Sequence, residues 1–239
     1  MREQLAKFRG RDRTRCESLS MPPRPFVRSA PSKVDKRRRV DIRLTHMAAA
    51  DALWWDARLG PKHASMASRA DRYWSWSVLL PLCHLVQRAK RRYCRPLVIW
   101  ARTDSGRFLR VGMLIVIEAY PYLDIEHPAE SHFVWFMSAA DAGVLTTEFG
   151  MSNPPALGRV LLDSAIVLSQ NAGLAGRIGL HAASAGGDGL LALYDRLGLI
   201  RLPGTAALPA SVRRPNDGRF FYADEPLAEA LAAALDASR

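Results

Sequence analysis

The sequence predicts an α/β sandwich, a mixed, mostly antiparallel central sheet flanked by helices. Three observations carry this reading. Several short stretches alternate apolar and polar residues with period two, the mark of half-buried strands. Longer stretches between them repeat apolar residues at helical spacing. The elements also run strand, helices, three strands, helix, strand, helix, strands, so helices return to one sheet.

The elements follow in order. Residues 1–38 are rich in Arg, Pro and Ser and show no apolar period, so they are expected to form a disordered basic tail before a domain over 39–239. Met21 and Met47 are alternative starts within this region. Val40, Ile42 and Leu44 alternate with Asp41, Arg43 and Thr45 as a first strand. Residues 48–59 and 69–93 read as helices, the second kinked or split at Pro81. Their aromatics, Trp54, Trp55, Tyr73, Trp74 and Trp76, read as a core seam rather than a pocket lining. Residues 97–103 and 108–118 are strands, and Asp104-Ser105-Gly106 between them supplies the turn of a hairpin. A strand over 132–138 follows. Leu157, Val160, Leu161, Ala165 and Leu168 mark a helix over 157–170. A short strand at 177–181 precedes a helix over 186–197 that Gly198 closes. Strands near 199–202 and 219–223 lead to a final helix, capped by Asp224 with Pro226 in its first turn.

Charge is unevenly placed. The net charge is +11, yet residues 1–39 hold 13 of the 34 Lys/Arg and only 4 of the 23 Asp/Glu. The remaining chain is nearly neutral, so a basic nucleic-acid face belongs to the tail if it exists at all. Contact between residues 1–39 and nucleic acid is therefore kept as an alternative. Cys16, Cys83 and Cys94 are too few and scattered for a disulfide framework or a zinc site, and no metal is expected. The N-terminus lacks an apolar export run, and no stretch is long enough to span a membrane. A cytoplasmic protein is the expectation.

One block is informative. It reads Gly158-Arg-Val-Leu-Leu-Asp-Ser-Ala165, then Ala172-Gly-Leu-Ala-Gly-Arg-Ile-Gly-Leu-His181, then Leu193-Tyr-Asp-Arg-Leu-Gly-Leu199. Physically this is a loop, a helix, a buried strand, a second helix and a glycine cap. A helix N-terminus offers unpaired amides and partial positive charge, which suits a pyrophosphate. A tyrosine on the next helix can direct its phenol into the same cleft.

This block resembles the GNAT acetyltransferase superfamily over roughly 150–200, and the strand order extends the likeness to about 40–223. Leu193-Tyr194-x-x-Leu197-Gly198-Leu199 is close to the family's Leu-Tyr-x-x-x-Gly-Phe. The family's pyrophosphate loop, Gln/Arg-x-x-Gly-x-Gly/Ala, corresponds to Asn153-Pro-Pro-Ala156-Leu157-Gly158, in which only the last glycine survives. The two prolines also remove amides.

The resemblance implies acetyl-CoA as acyl donor and an amine, small-molecule or peptide, as acceptor. It implies direct attack in a ternary complex. It places the pantetheine arm on the backbone of Met137, Ser138 and Ala139. It places the pyrophosphate on Asn153 and the amides of Ala156, Leu157, Gly158, Arg159 and Val160. It makes Tyr194 the general acid. Glu118, Asp124, Glu126 and His132 are candidates for the general base, with Glu118, at the end of an apolar strand, put first. His181 reads as a core histidine rather than a base. A non-catalytic protein of the same fold, with a degenerate CoA loop, is the other alternative.

Overall fold

The computed structural model describes residues 24–239 except 91–92, 125, 128, 210–211 and 213–214. Eight strands form one sheet in the order β1-β2-β3-β4-β5-β6-β8-β7. They are β1 Ser29–Pro31, β2 Arg39–His46, β3 Cys94–Arg102, β4 Phe108–Pro121, β5 Glu130–Ala139, β6 Ile178–His181, β7 Ile200–Arg201 and β8 Phe220–Ala223. Neighbours are antiparallel except β5 and β6, which run parallel. The predicted mixed, mostly antiparallel sheet with flanking helices is what forms.

The first strand forms for the reason the sequence gives. On β2, Val40 and Ile42 are buried while Asp41 and Arg43 face solvent. Two readings nearby need correction. The expected tail over 1–38 falls partly outside the described residues, but residues 24–38 belong to the fold. β1 adds an edge strand to β2, and Val27 and Ala30 enter the core. Arg24 ion-pairs with Glu229 at 2.8 Å and Asp236 at 2.9 Å. Arg239 bonds the Pro25 carbonyl at 2.7 Å and the buried Asp163 at 2.6 Å. Composition hid this because the segment's charges find partners about 200 positions away, which no local window contains.

The second correction concerns the helix read over 69–93. The chain instead forms α1 Ala49–Arg58, a short α2 Gly60–Ala64, a looped segment over 65–75, and α3 Trp76–Lys90, which runs through Pro81 without splitting. α3 starts at Trp76 because Asp56 of α1 caps it from outside. Its carboxylate accepts from the amide of Trp76 at 2.8 Å and from the amide and hydroxyl of Ser77 at 2.9 and 2.7 Å. Trp55, Trp76 and Trp74 stack edge to face in a seam that continues to Phe136.

α4 Ala142–Phe149 was not anticipated, although Asp141 caps it and Gly150 ends it at φ 64°. α5 Leu157–Asn171 is buried on nearly every face and crosses β4 at Gly112. A Cβ there would lie 3.3 Å from both Ile99 and Leu161. α6 Gly187–Arg196 ends at Gly198, whose φ of 86° suits the predicted cap. α7 Glu225–Ala233 starts on the Asp224 side chain, which accepts from the Leu227 amide at 3.0 Å.

Candidate active site

The cleft follows from one irregularity. β5 and β6 pair from His132↔Ile178 to Val134↔Leu180 and then part, while β5 continues to Ala139. Against β4, the register shifts where Ile115 faces Phe136 and Val116 faces Val134, so Trp135 is an extra residue. Such a bulge bends a strand and reverses which way its backbone groups point. Before it, Val134 pairs toward β6. After it, the Ala140 amide donates to the Val111 carbonyl of β4 at 2.8 Å. Alternation then turns Ser138 to β4 and the backbone of Met137 and Ala139 away from it, into the gap.

The gap opens into a cleft of about 560 Å³ lined by β5, β6, α5, α6 and the segment before α3. Met137, Ser138 and Ala139 all line it. The Ala139 carbonyl already accepts from the Arg69 guanidinium at 2.7 Å. Gly158 in the first turn of α5 lines the cleft, and a Cβ there meets nothing within 4 Å. No side chain caps α5.

The other loop residues are placed differently. Asn153 turns to Ser152, whose amide is tied to Asp104. The Ala156 amide donates to Pro31 at 2.9 Å, and Pro154 accepts from Lys33 at 2.8 Å. The two prolines thus anchor the loop to the N-terminal strand, and Asn153 and Ala156 are not part of the cleft wall. Leu157 and Val160 point into the core, and Arg159 is exposed.

Tyr194 lines the cleft from α6 and is 7% exposed. Its ring lies 5.3 Å from Phe221, and its hydroxyl has no hydrogen-bond partner among the described residues. Burial, and after it the charge of Asp71, push its pKa up to about 12. Asp71 sits at the cleft wall. Burial favours its neutral form, but two hydrogen bonds and the charge of Arg69, with a bond from the Ser138 hydroxyl, hold the carboxyl below its ordinary range.

Glu118 is elsewhere. It ion-pairs with Arg95 on β3, next to the closed end where Ile117 faces Phe133. From there to Met137 is roughly 13 Å along β5 at ~3.3 Å per residue. Asp124, Glu126 and His132 do not line the cleft either. His181 does. It is half-buried at the end of β6, and its Nε2 lies 3.1 Å from Asp217. Arg69 and Asp71 were not singled out in sequence, because they fell inside a stretch read as helix; Trp74, read there as part of a core seam, belongs to that seam and also lines the cleft.

Behind Asp71, His63 is buried with its Nε2 unpartnered and its Nδ1 3.6 Å from the Asp71 carboxylate. Burial, then the charge of Arg69, push its pKa from 6.5 down to about 4. The folded chain thus holds this proton less tightly than the unfolded chain. Its contribution to stability is complete above about pH 6.5 and is lost as pH falls through 4. The melting temperature is expected to drop between pH 6.5 and 4, and His63→Leu to flatten that drop. Identical pH profiles for the two proteins would remove His63 from the account.

No family model matches the sequence, and no curated protein matches it. Solved structures do. One is a nucleotide-linked sugar GNAT, apo FdhC, with 8% identity over 90% of this chain and 99% of that one, at a TM-score of 0.49. Another is spermidine N-acetyltransferase from Vibrio cholerae in complex with CoA and spermine, with 15% identity over 79% and 98%, at 0.44. A third is a GNAT superfamily phosphinothricin acetyltransferase from Sinorhizobium meliloti in complex with AcCoA, with 12% identity over 76% and 87%, at 0.40. At these scores and identities, what the three proteins bind is not transferred to this chain. The chain itself forms an antiparallel β2–β5 run, a parallel β5/β6 pair that splays beyond a bulge, and a helix that begins at its mouth, the mixed, mostly antiparallel sheet that the resemblance to GNAT proteins implies.

Proposed function

We propose that the protein transfers an acetyl group from acetyl-CoA to an amine. The observation that carries the reading is the splayed cleft. At one position it offers the backbone of Met137 and Ala139 together with the open first turn of α5 at Gly158, and it holds an unpartnered tyrosine hydroxyl beside them. Extended backbone suits the amides of a pantetheine arm. A helix N-terminus suits a pyrophosphate. These features fit acetyl-CoA, which when bound supplies an activated thioester.

The chain's residues then have separate tasks. Met137 and Ala139 align the arm, so the acceptor meets the thioester in one orientation. Tyr194 keeps its proton at neutral pH and can deliver it to the departing thiolate. His181, set against Asp217, is the imidazole at hand to take the amine's proton, directly or through water. Glu118 is not retained in that role.

A second reading is favoured by two observations. The Ala156 amide and the Ala139 carbonyl, both expected to face the cofactor, are occupied within the protein. A binding protein that has lost acyl transfer would tolerate this.

Calorimetry with acetyl-CoA, followed by assay against an amine panel, separates the readings. Saturable one-to-one binding with turnover supports the enzyme. Binding without turnover on any amine, or no binding of acetyl-CoA, supports the second reading and removes the enzyme. Gly158→Asp places a carboxylate where the pyrophosphate belongs, in space that is empty in the fold. Acetyl-CoA affinity is expected to fall at least tenfold, about 1.4 kcal/mol, with little change in melting temperature. Equal affinity in this variant would put the cofactor elsewhere.

A further inference from the structure

The cleft's phosphate end lacks the cation that its loop was expected to supply. Asn153 stands in place of a Gln or Arg and turns away to Ser152, and the Ala156 amide is bonded to Pro31. Yet one arginine reaches the cleft from a different part of the chain.

Arg69 belongs to the looped segment between α2 and α3. Its Nε donates to Asp71 Oδ1 at 2.8 Å and its Nη2 to Asp71 Oδ2 at 2.6 Å, a two-pronged pairing that fixes the guanidinium plane. Nη2 also donates to the Ala139 carbonyl at 2.7 Å. Asp71 is itself fixed by the Ser138 hydroxyl. This leaves Nη1, which has no partner among the described residues, on a side chain that is 19% exposed and lines the cleft.

The position of Arg69 along the cleft follows from the sheet. Ala139, which Arg69 grips, lies opposite Gly112 on β4. Gly112 in turn touches Leu161, one turn into α5. Arg69 and the first turn of α5 therefore stand at the same end of the gap. Independently, Tyr194, a buried residue whose hydroxyl has no partner among the described residues, lines the same cleft.

We infer that Arg69, held rigid by Asp71, is the cationic hydrogen-bond donor for the pyrophosphate of CoA. It replaces from the α2–α3 segment the charge missing from the loop before α5. The inference rests on the acetyl-CoA reading above. Asp71 balances much of the net charge, so the gain lies in a preset, charge-assisted donor rather than in long-range attraction. An arginine suits this use because two of its three nitrogens can be pinned while the third points outward.

The test compares two ligands on the full chain. CoA carries the pyrophosphate, and S-acetylpantetheine carries the same arm without phosphate. Affinities are measured by calorimetry for CoA and by ligand-observed NMR for the weaker S-acetylpantetheine. Arg69→Gln is expected to weaken CoA at least tenfold and S-acetylpantetheine less than twofold. The single change leaves Asp71 short of its counter-charge, so Arg69→Gln with Asp71→Asn serves as a second variant without a buried unpaired charge. It should show the same selective loss. Equal losses on both ligands would make Arg69 a packing residue and overturn the inference, as would undiminished CoA binding. Failure of the unaltered chain to bind CoA would instead overturn the cofactor reading, and the inference with it.

Discussion

Replacing Tyr194 with Phe is expected to cut turnover about 10²-fold or more, with little change in acetyl-CoA affinity. The change removes only the phenol oxygen. The ring, which packs on Phe221, keeps its contacts, so the fold should be unaffected. The large effect follows from the job assigned to the hydroxyl. A departing thiolate is protonated fastest by a fixed donor within reach. Tyr194, with its pKa pushed up to about 12 by burial and by Asp71, is fully protonated at neutral pH. The same shift has a stability consequence of definite sign. The folded chain holds this proton more tightly than the unfolded chain. The stabilisation is therefore complete below about pH 10 and is lost as pH rises through 12. Steady-state rates at saturating acetyl-CoA, with an amine found in the panel, provide the check. A fall of less than threefold would assign Tyr194 to packing and thiolate protonation to water.

Beginning the chain at Lys36 is expected to lower the melting temperature by about 10 °C or more relative to the full chain. The cut removes Val27 and Ala30 from the core and the β1 ladder from the edge of β2. It also removes the acceptors of the Ala156 amide and of Arg239. Burial of one aliphatic side chain contributes about 1.5–3 kcal/mol, and an orphaned buried amide costs about 1–3 kcal/mol. A combined loss of roughly 3–6 kcal/mol, at about 2–4 °C per kcal/mol for a chain of this size, gives the expected drop. Because Pro31 and Lys33 also hold the loop that enters α5, acetyl-CoA affinity should fall with it. Melting within about 2 °C of the full chain would restore residues 24–35 to a dispensable tail.

The two expectations illustrate how differently the parts of this protein were written into its sequence. Strands β2 to β8 and the helices α5, α6 and α7 were legible because their signals are local. Alternation on β2, the Asp104–Gly106 turn, the Gly198 cap and the Asp224 cap each act within a few residues of where they are read. The Tyr194 motif was equally plain, and its helix sets the tyrosine in the cleft wall. α4 was missed even though Asp141 and Gly150 mark both its ends.

The remainder was settled in three dimensions. α3 starts at Trp76 and not earlier because a carboxylate on α1 caps it. The basic residues near the N-terminus are structural because Glu229 and Asp236 wait for Arg24 at the far end of the chain. Glu118 read as a base from its strand-end position, yet the sheet sets it beside Arg95 and away from the gap. Arg69 and Asp71 sit in a stretch that read as helix but folds as a loop, and enter the site because the bulge at Trp135 parts β5 from β6 and turns Ala139 toward them. By itself the sequence determined strands β2 to β8, the helices α1, α5, α6 and α7 and their order, since backbone preference and apolar spacing are properties of neighbouring residues. Which charges meet in the cleft was decided only by the tertiary structure, because ion pairing depends on distance in space, and the sheet brings together residues that are some seventy positions apart.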